Sequence, residues 1–166
     1  MTVAGEIEDY IAITRLQSAY ADSVTRRSWG ELDQLFRPDA TLVVSDGRRQ
    51  MTVEGPTAIG ALIDRAVASL DLIFFVNLNT RIEMYPEGEA TARARTYIRE
   101  LHFAKPLLVA KEIYGVYLDR YVRNEDRWWF ASREWHALAR TAPELEAYAG
   151  PGQLDGWLVG YDDRRI

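Results

Sequence analysis

The sequence predicts one α+β domain in which a cone-shaped, curved antiparallel sheet wraps over about three helices, an α+β barrel. Three observations carry that expectation. Apolar residues recur at helical spacing through much of the first 70 positions, and from Leu72 onward they alternate as strands do. The stretch KEIYGVYLDRYVRNEDRWWFASREWHA (111–137) reads as two long antiparallel strands joined by the polar turn Asn124-Glu125-Asp126-Arg127, and it is dense in the aromatic and β-branched residues that suit a pleated surface. A second turn, Tyr85-Pro86-Glu87-Gly88-Glu89, joins two more long strands. Helices segregated from an antiparallel sheet define the α+β class.

Taken in order, residues 5–26 form the first helix, with Ile7, Ile11, Ile13, Leu16, Tyr20 and Val24 near the helical period. Trp29, Leu32, Leu35 and Phe36 form a short second helix with Ser28 as its N-cap, stopped by Arg37-Pro38-Asp39. ATLVVSD (40–46) is a short strand ending in the turn signal Asp46-Gly47, and Met51 to Glu54 returns beside it. Gly55-Pro56-Thr57 opens a third helix with Ile59, Leu62, Ile63, Val67 and Leu70 on its apolar side. Strands 72–84 and 90–103 and the hairpin 111–137 complete a meander of four long strands. Both faces of the first hairpin arm carry bulky apolar groups, which predicts helices on one face and a partner chain on the other. The domain is expected to span 1–140, with 141–166, rich in Gly and Pro, a C-terminal extension packed on it.

Composition narrows the function. A chain of 166 residues that is 48% apolar and 27% charged is an ordinary globular composition and long enough to fold without staples. It has no cysteine, which rules out disulfides and thiolate metal sites and fits a reducing cytoplasm. A net charge of −5 argues against nucleic acid as a partner. No basic n-region opens the chain, and no apolar run approaches the roughly 18 residues of a membrane span, so neither a signal peptide nor a membrane partner is expected. Two histidines without spaced carboxylates make no case for a metal, and no cofactor is implied.

The layout, together with IAITRLQSAYADSVTRRSWGELDQLFRPDATLVV (11–44), EGPTAIGALI (54–63), NTRIEM and GEATARARTYI (79–98) and YLDRYVRNEDRWWFASREW (117–135), resembles the SnoaL-like branch of the nuclear transport factor 2-like superfamily, across about residues 6–138. The resemblance implies a cone with an apolar interior and a range of activities: cyclases, dehydratases, a dehydrochlorinase, isomerases, epoxide hydrolases and non-catalytic subunits. Fold alone does not choose among them. The usual lyases of this branch use an Asp–His dyad, and the matching positions here are Thr25, four before Trp29, and Phe75, four before Asn79. Both dyad members are absent. The isomerases' oxyanion tyrosine matches Tyr20, but their base aligns with Val44, and the epoxide-hydrolase Arg-x-Asp run is replaced by Arg99-Glu100-Leu101.

Strand parity supplies other candidates. On 90–103, Ala92, Ala94, Thr96, Ile98, Glu100 and His102 share a face that reads as the cone wall. Glu100 and His102 stand about 6.6 Å apart along the backbone, close enough for their side chains to meet. The resemblance implies an ionisable catalytic group at the Glu100 position. These two are the candidate acid/base residues, with Tyr20 donating to a developing oxyanion. Thr25, Phe75, Asn79 and Tyr117 are the candidate substrate-binding residues. The bland readings stand beside them: Glu100 as a surface ion pair with Arg95, Arg99 or Arg120, His102 exposed, Tyr20 a core residue, and Trp128, Trp129 and Trp135 core or interface. Asp22 faces water, and Asp119 pairs with an arginine. The expectation is a cofactor-free lyase, isomerase or cyclase acting on a small apolar or polycyclic molecule, as a cytoplasmic homodimer. The alternative is a non-catalytic ligand-binding protein or assembly subunit of the same fold.

Overall fold

The computed structural model describes residues 2–46, 49–85, 90–104 and 111–141, and the backbone of 145–147. Helix α1, Val3–Arg26, starts where Thr2 Oγ1 accepts the Gly5 N–H at 3.3 Å, and it ends where Arg27 turns left-handed at φ 58°. A short 3-10 helix, Trp29–Gln34, follows, then strands β1, Phe36–Ser45, and β2, Gln50–Glu54, and helix α2, Pro56–Val67. The long strands are β3, Leu72–Met84, β4, Thr91–Phe103, β5, Lys111–Asn124, and β6, Arg127–Thr141, with a short β7, Leu145–Ala147. Gly55 enters α2 at φ +82°, a conformation that only glycine takes freely, and Pro56 sits in the first turn.

The sheet runs β2-β1-β6-β5-β4-β3, and β7 pairs with β6. Every pairing is antiparallel except β1 with β6, which is parallel. The curved sheet is not closed, since β2 and β3 remain its edges. Helix α1 lies against β3 and β6 inside the curve, and α2 lies on the 3-10 helix, β1 and β2. The core joins Ile13, Leu16, Tyr20 and Val24 of α1 to Phe36, Leu42, Phe75, Ile98, Tyr117 and Phe130 of the sheet. Among the described residues no helix is long and apolar enough to cross a membrane.

Several local readings are corrected. Strand β1 begins at Phe36, through the Arg37-Pro38-Asp39 that reads as a stop. Its ladder to β6 is irregular between Phe36 and Thr41, where the missing N–H of Pro38 is tolerated. Ser28 makes no side-chain cap and instead accepts from Arg26 Nη1 at 2.6 Å. Ile7 and Ile11 are exposed, and the buried face of α1 is Asp9, Ile13, Leu16, Gln17, Tyr20, Ser23 and Val24. On the outer sheet face Val116 and Leu118 are already buried against Tyr97 and Leu138. The exposed large apolar residues lie instead on α1 (Val3, Ile7, Tyr10, Ile11), on β3 (Leu72, Phe74, Leu78) and at Met51. Apart from residue 141 and the backbone of β7, the expected extension 141–166 lies outside the described residues.

Candidate functional site

A cavity of about 430 Å³ opens inside the curve of the sheet. Its walls are mainly apolar: Val24 from α1, Leu42 and Val44 from β1, Leu62, Ile63 and Val67 from α2, Ile73 and Phe75 from β3, Ile113 from β5 and Trp135 from β6. Into this surface project Glu100, His102, Tyr20, Tyr117, Asp46 and Arg140. Parity explains the first two. The alternate residues of β4 face inward, and at its end the small apolar series Ala92, Ala94, Thr96, Ile98 gives way to Glu100 and His102. Their side chains are only 12% and 15% exposed, and His102 Nε2 lies 2.8 Å from Glu100 Oε2. The surface ion-pair reading of Glu100 is therefore replaced by an inward Glu–His pair, while Arg99 pairs with Glu112 on the outside.

Tyr20 and Tyr117 meet deeper in the cone, hydroxyl to hydroxyl at 3.3 Å. The Tyr20 ring is held edge-on by Phe36, Phe75, Tyr117 and Phe130, with centroids 5.8–6.0 Å away. Burial pushes both hydroxyls above the usual tyrosine range, although the nearby Arg133 charge opposes the shift, so both stay protonated and able to donate.

Beneath them is a polar network on no list of site candidates drawn from the sequence. Arg133, 1% exposed, donates from Nε and Nη2 to the two oxygens of Asp119, 0% exposed, at 2.7 and 2.9 Å. Its guanidinium carbon lies 4.0 Å from the Tyr117 centroid, 4.1 Å from Tyr20 and 4.2 Å from Phe130. Tyr121 donates to Asp119 at 2.8 Å, and Gln17 donates to Tyr121 at 2.9 Å and to Thr96 at 3.0 Å. Burial works against the charge on Arg133, but Asp119 more than offsets it and the group stays a cation. A signal for Gln17 was present, since it lies one residue from Leu16 and three from Tyr20 on the apolar face of α1. Counting back by twos from Trp135 also turns Arg133 inward.

Two expected binding residues are not on the cavity wall. Asn79 is exposed, because a bulge between Asn77 and Asn79 shifts the parity of β3 and pairs Asn79 with the outward Tyr97. Thr25 is absent from the lining, and its Oγ1 accepts the Phe75 N–H at 3.2 Å. Asp22 is exposed and bridges to Arg26. No group of three or more metal-binding side chains occurs among the described residues.

The SnoaL-like domain family matches residues 5–134. The chain belongs to that family. In this SnoaL-like chain Thr25 and Phe75, the two positions where the resemblance leads one to look for the Asp–His dyad, are neighbours joined by the Phe75 N–H to Thr25 Oγ1 bond. Among curated proteins, none matches the chain. Similar solved structures include a candidate scytalone dehydratase from Novosphingobium aromaticivorans (21% identity, TM-score 0.74, 91% of this chain and 98% of that one). Another is the hexachlorocyclohexane dehydrochlorinase LinA-type3 from Novosphingobium barchaimii (19%, 0.73, 90% and 96%). A third is an NTF2-like protein with a cystatin-like fold from Novosphingobium aromaticivorans (20%, 0.69, 81% and 85%). At these identities the likeness is one of fold.

Proposed function

We propose that this SnoaL-like protein is a cofactor-free lyase, isomerase or cyclase that moves a proton on a small, apolar, ring-containing molecule. The observation that carries the proposal is the Glu100–His102 hydrogen bond on the wall of an apolar cavity that also holds the Tyr20–Tyr117 hydroxyl pair. In this reading Glu100 takes or returns the proton and His102 orients it and shares it. As negative charge develops on a substrate oxygen, the tyrosine hydroxyls donate to it. Phe75 and Trp135 fix the ring by shape. The dehydratase and dehydrochlorinase named among the structural neighbours support elimination from a ring-containing molecule as the first reaction class to screen.

The test is turnover against binding. Glu100→Gln and His102→Ala should bind a ligand found by thermal-shift screening about as well as the parent, and each should lose about 10²–10⁴-fold in kcat. Unchanged kcat in both variants refutes the assignment. One observation favours the second reading, a binding protein: a hydroxyl and a phenyl ring occupy the dyad positions. A ligand that binds tightly and is never transformed by the parent would decide for it. Pairing with a second copy belongs to the same proposal, and a monomer by light scattering at micromolar concentration would remove it.

A further inference from the structure

We propose that Arg133 is the positioning residue of this site: its guanidinium, pinned by Asp119 under Tyr20 and Tyr117, makes the floor of the cavity bind the oxyanion form of a ring hydroxyl in preference to the neutral form. This rests on the proposed function in one respect, that it assigns the oxyanion end of the same cavity.

A side-on fork uses Nε and Nη2 on Asp119, which leaves Nη1 directed away from the carboxylate. Nη1 is buried and without a hydrogen-bond partner among the described residues. An unmatched donor on a fully buried cation is expensive unless something nearby uses its field. The guanidinium lies over the rings of Tyr20 and Tyr117, at 4.1 and 4.0 Å from their centroids, and these two cavity-lining tyrosines meet hydroxyl to hydroxyl. The pair has a direction as well. Tyr121, itself held by Gln17, satisfies Asp119 from the side of the hydrogen-bonded network, so the negative end is anchored in the core and the positive end lies against the two tyrosines. A cation on the ring faces favours negative charge on anything those hydroxyls donate to. The charged and titratable groups that bear on this floor are Tyr20 from α1, Tyr117, Asp119 and Tyr121 from β5, and Glu100 from β4, whose charge acts on both tyrosines in the opposite sense to Arg133. Glu100 is itself hydrogen-bonded to His102 at 2.8 Å.

The probe is a graded series of nitro- and chloro-substituted naphthols, read by the absorbance change when the O–H breaks, the oxygen keeps the electron pair and the proton passes to buffer. Bound to the parent protein, a naphthol should lose its proton at least one pH unit below its value in water, a tenfold change. Arg133→Met should abolish that shift, and Arg133→Lys should restore part of it. Near-ultraviolet circular dichroism checks the fold of each. Naphthols that bind only as neutral molecules, or that fail to bind at millimolar concentration, overturn the proposal, as does a shift that survives in folded Arg133→Met. If Arg133→Met does not fold, Tyr20→Phe keeps the ring and the cation. The shift should then shrink but persist, and its complete loss would credit the hydroxyl alone and overturn the role of Arg133. Glu100→Gln separates the two proposals: it should lose turnover while keeping the naphtholate preference. An Arg133-dependent preference in a protein that transforms nothing would leave this inference standing and remove the acid/base one.

Discussion

Removing one partner of the Asp119–Arg133 pair should be among the most damaging single changes in this protein. Asp119→Leu leaves a guanidinium that is 1% exposed with no counter-charge, deletes two charge-assisted bonds of 2.7 and 2.9 Å, and frees the Tyr121 hydroxyl. Breaking a buried pair in this way costs about 3–5 kcal/mol. For a chain of 166 residues, each kcal/mol moves the midpoint by about 2–4 °C, so Tm should fall by roughly 6–20 °C. Arg133→Met should lose a similar amount, because it strands the carboxylate. The double variant Asp119→Leu/Arg133→Met removes both charges and keeps apolar volume, so it should recover most of the loss and lie within about 2 kcal/mol of the parent. Urea unfolding followed by tryptophan fluorescence, with the slope checked for constancy, gives the four free energies. A single-variant loss under about 1 kcal/mol, or two losses that simply add in the double variant, would refute the reading of this pair as buried, dry and mutually dependent.

Gly115→Ala should destabilise by about 1–3 kcal/mol and shift the emission of Trp135, because a Cβ at 115 would stand 2.9 Å from Trp135 Nε1 and 3.2 Å from the His136 carbonyl; an unchanged stability and spectrum would contradict it. Phe75→Ala should cost about 3–5 kcal/mol and let the cavity admit larger rings, seen as tighter binding of three-ring than of two-ring probes in thermal-shift titrations. Asp9 ties the start of α1 to the far end of the hairpin. Burial raises its proton affinity, but hydrogen bonds from Tyr85 and Trp128 and the charge of Arg123 outweigh that and hold its carboxyl below the usual range. A lowered folded value means stability that is present above about pH 4 and lost as pH falls through the folded value, so the advantage of the parent over Asp9→Asn in urea should shrink as pH drops below about 4. A constant gap across that range would show that the carboxylate is not what holds this corner.

The fold was legible because its two periods are strong. The long β alternations and the polar turn 124–127 leave little choice of register, and β5 pairs β6 from Asn124↔Arg127 outward. Legibility failed where the period itself breaks. Asn79 reads as inward only if β3 is regular, and the bulge at 77–79 turns it out. Ile7 and Ile11 fit a helical stripe, yet both are exposed, and the residue buried on that turn is Asp9, bonded to Tyr85, Arg123 and Trp128. Glu100 and His102 could be placed inward because β4 keeps strict parity to its end.

Arg133 was the costliest omission, and the reason is physical. The β5–β6 ladder slips between Arg120 and Tyr121, so Phe130 and Arg133 both face inward although they are three residues apart. Counting forward from Phe130 turns Arg133 outward and counting back from Trp135 turns it inward, so parity alone does not decide, and an arginine beside a glutamate and a tryptophan reads as a solvated strand residue. Once buried, the pair needs a reason to be there. Two apolar side chains of similar volume under Tyr20 and Tyr117 should come within about 2 kcal/mol of the parent in stability. The wall above them is mainly apolar, with Glu100 and His102 of β4 among its polar members. A fully desolvated ion pair at that one point has its negative end bonded by Tyr121 and its positive end over the rings of two tyrosines that line the cavity, a placement that stability alone does not require. What it supplies is a fixed field at the cavity floor. The physical case for a functional site in this chain therefore rests as much on that field as on the Glu100–His102 pair at the wall.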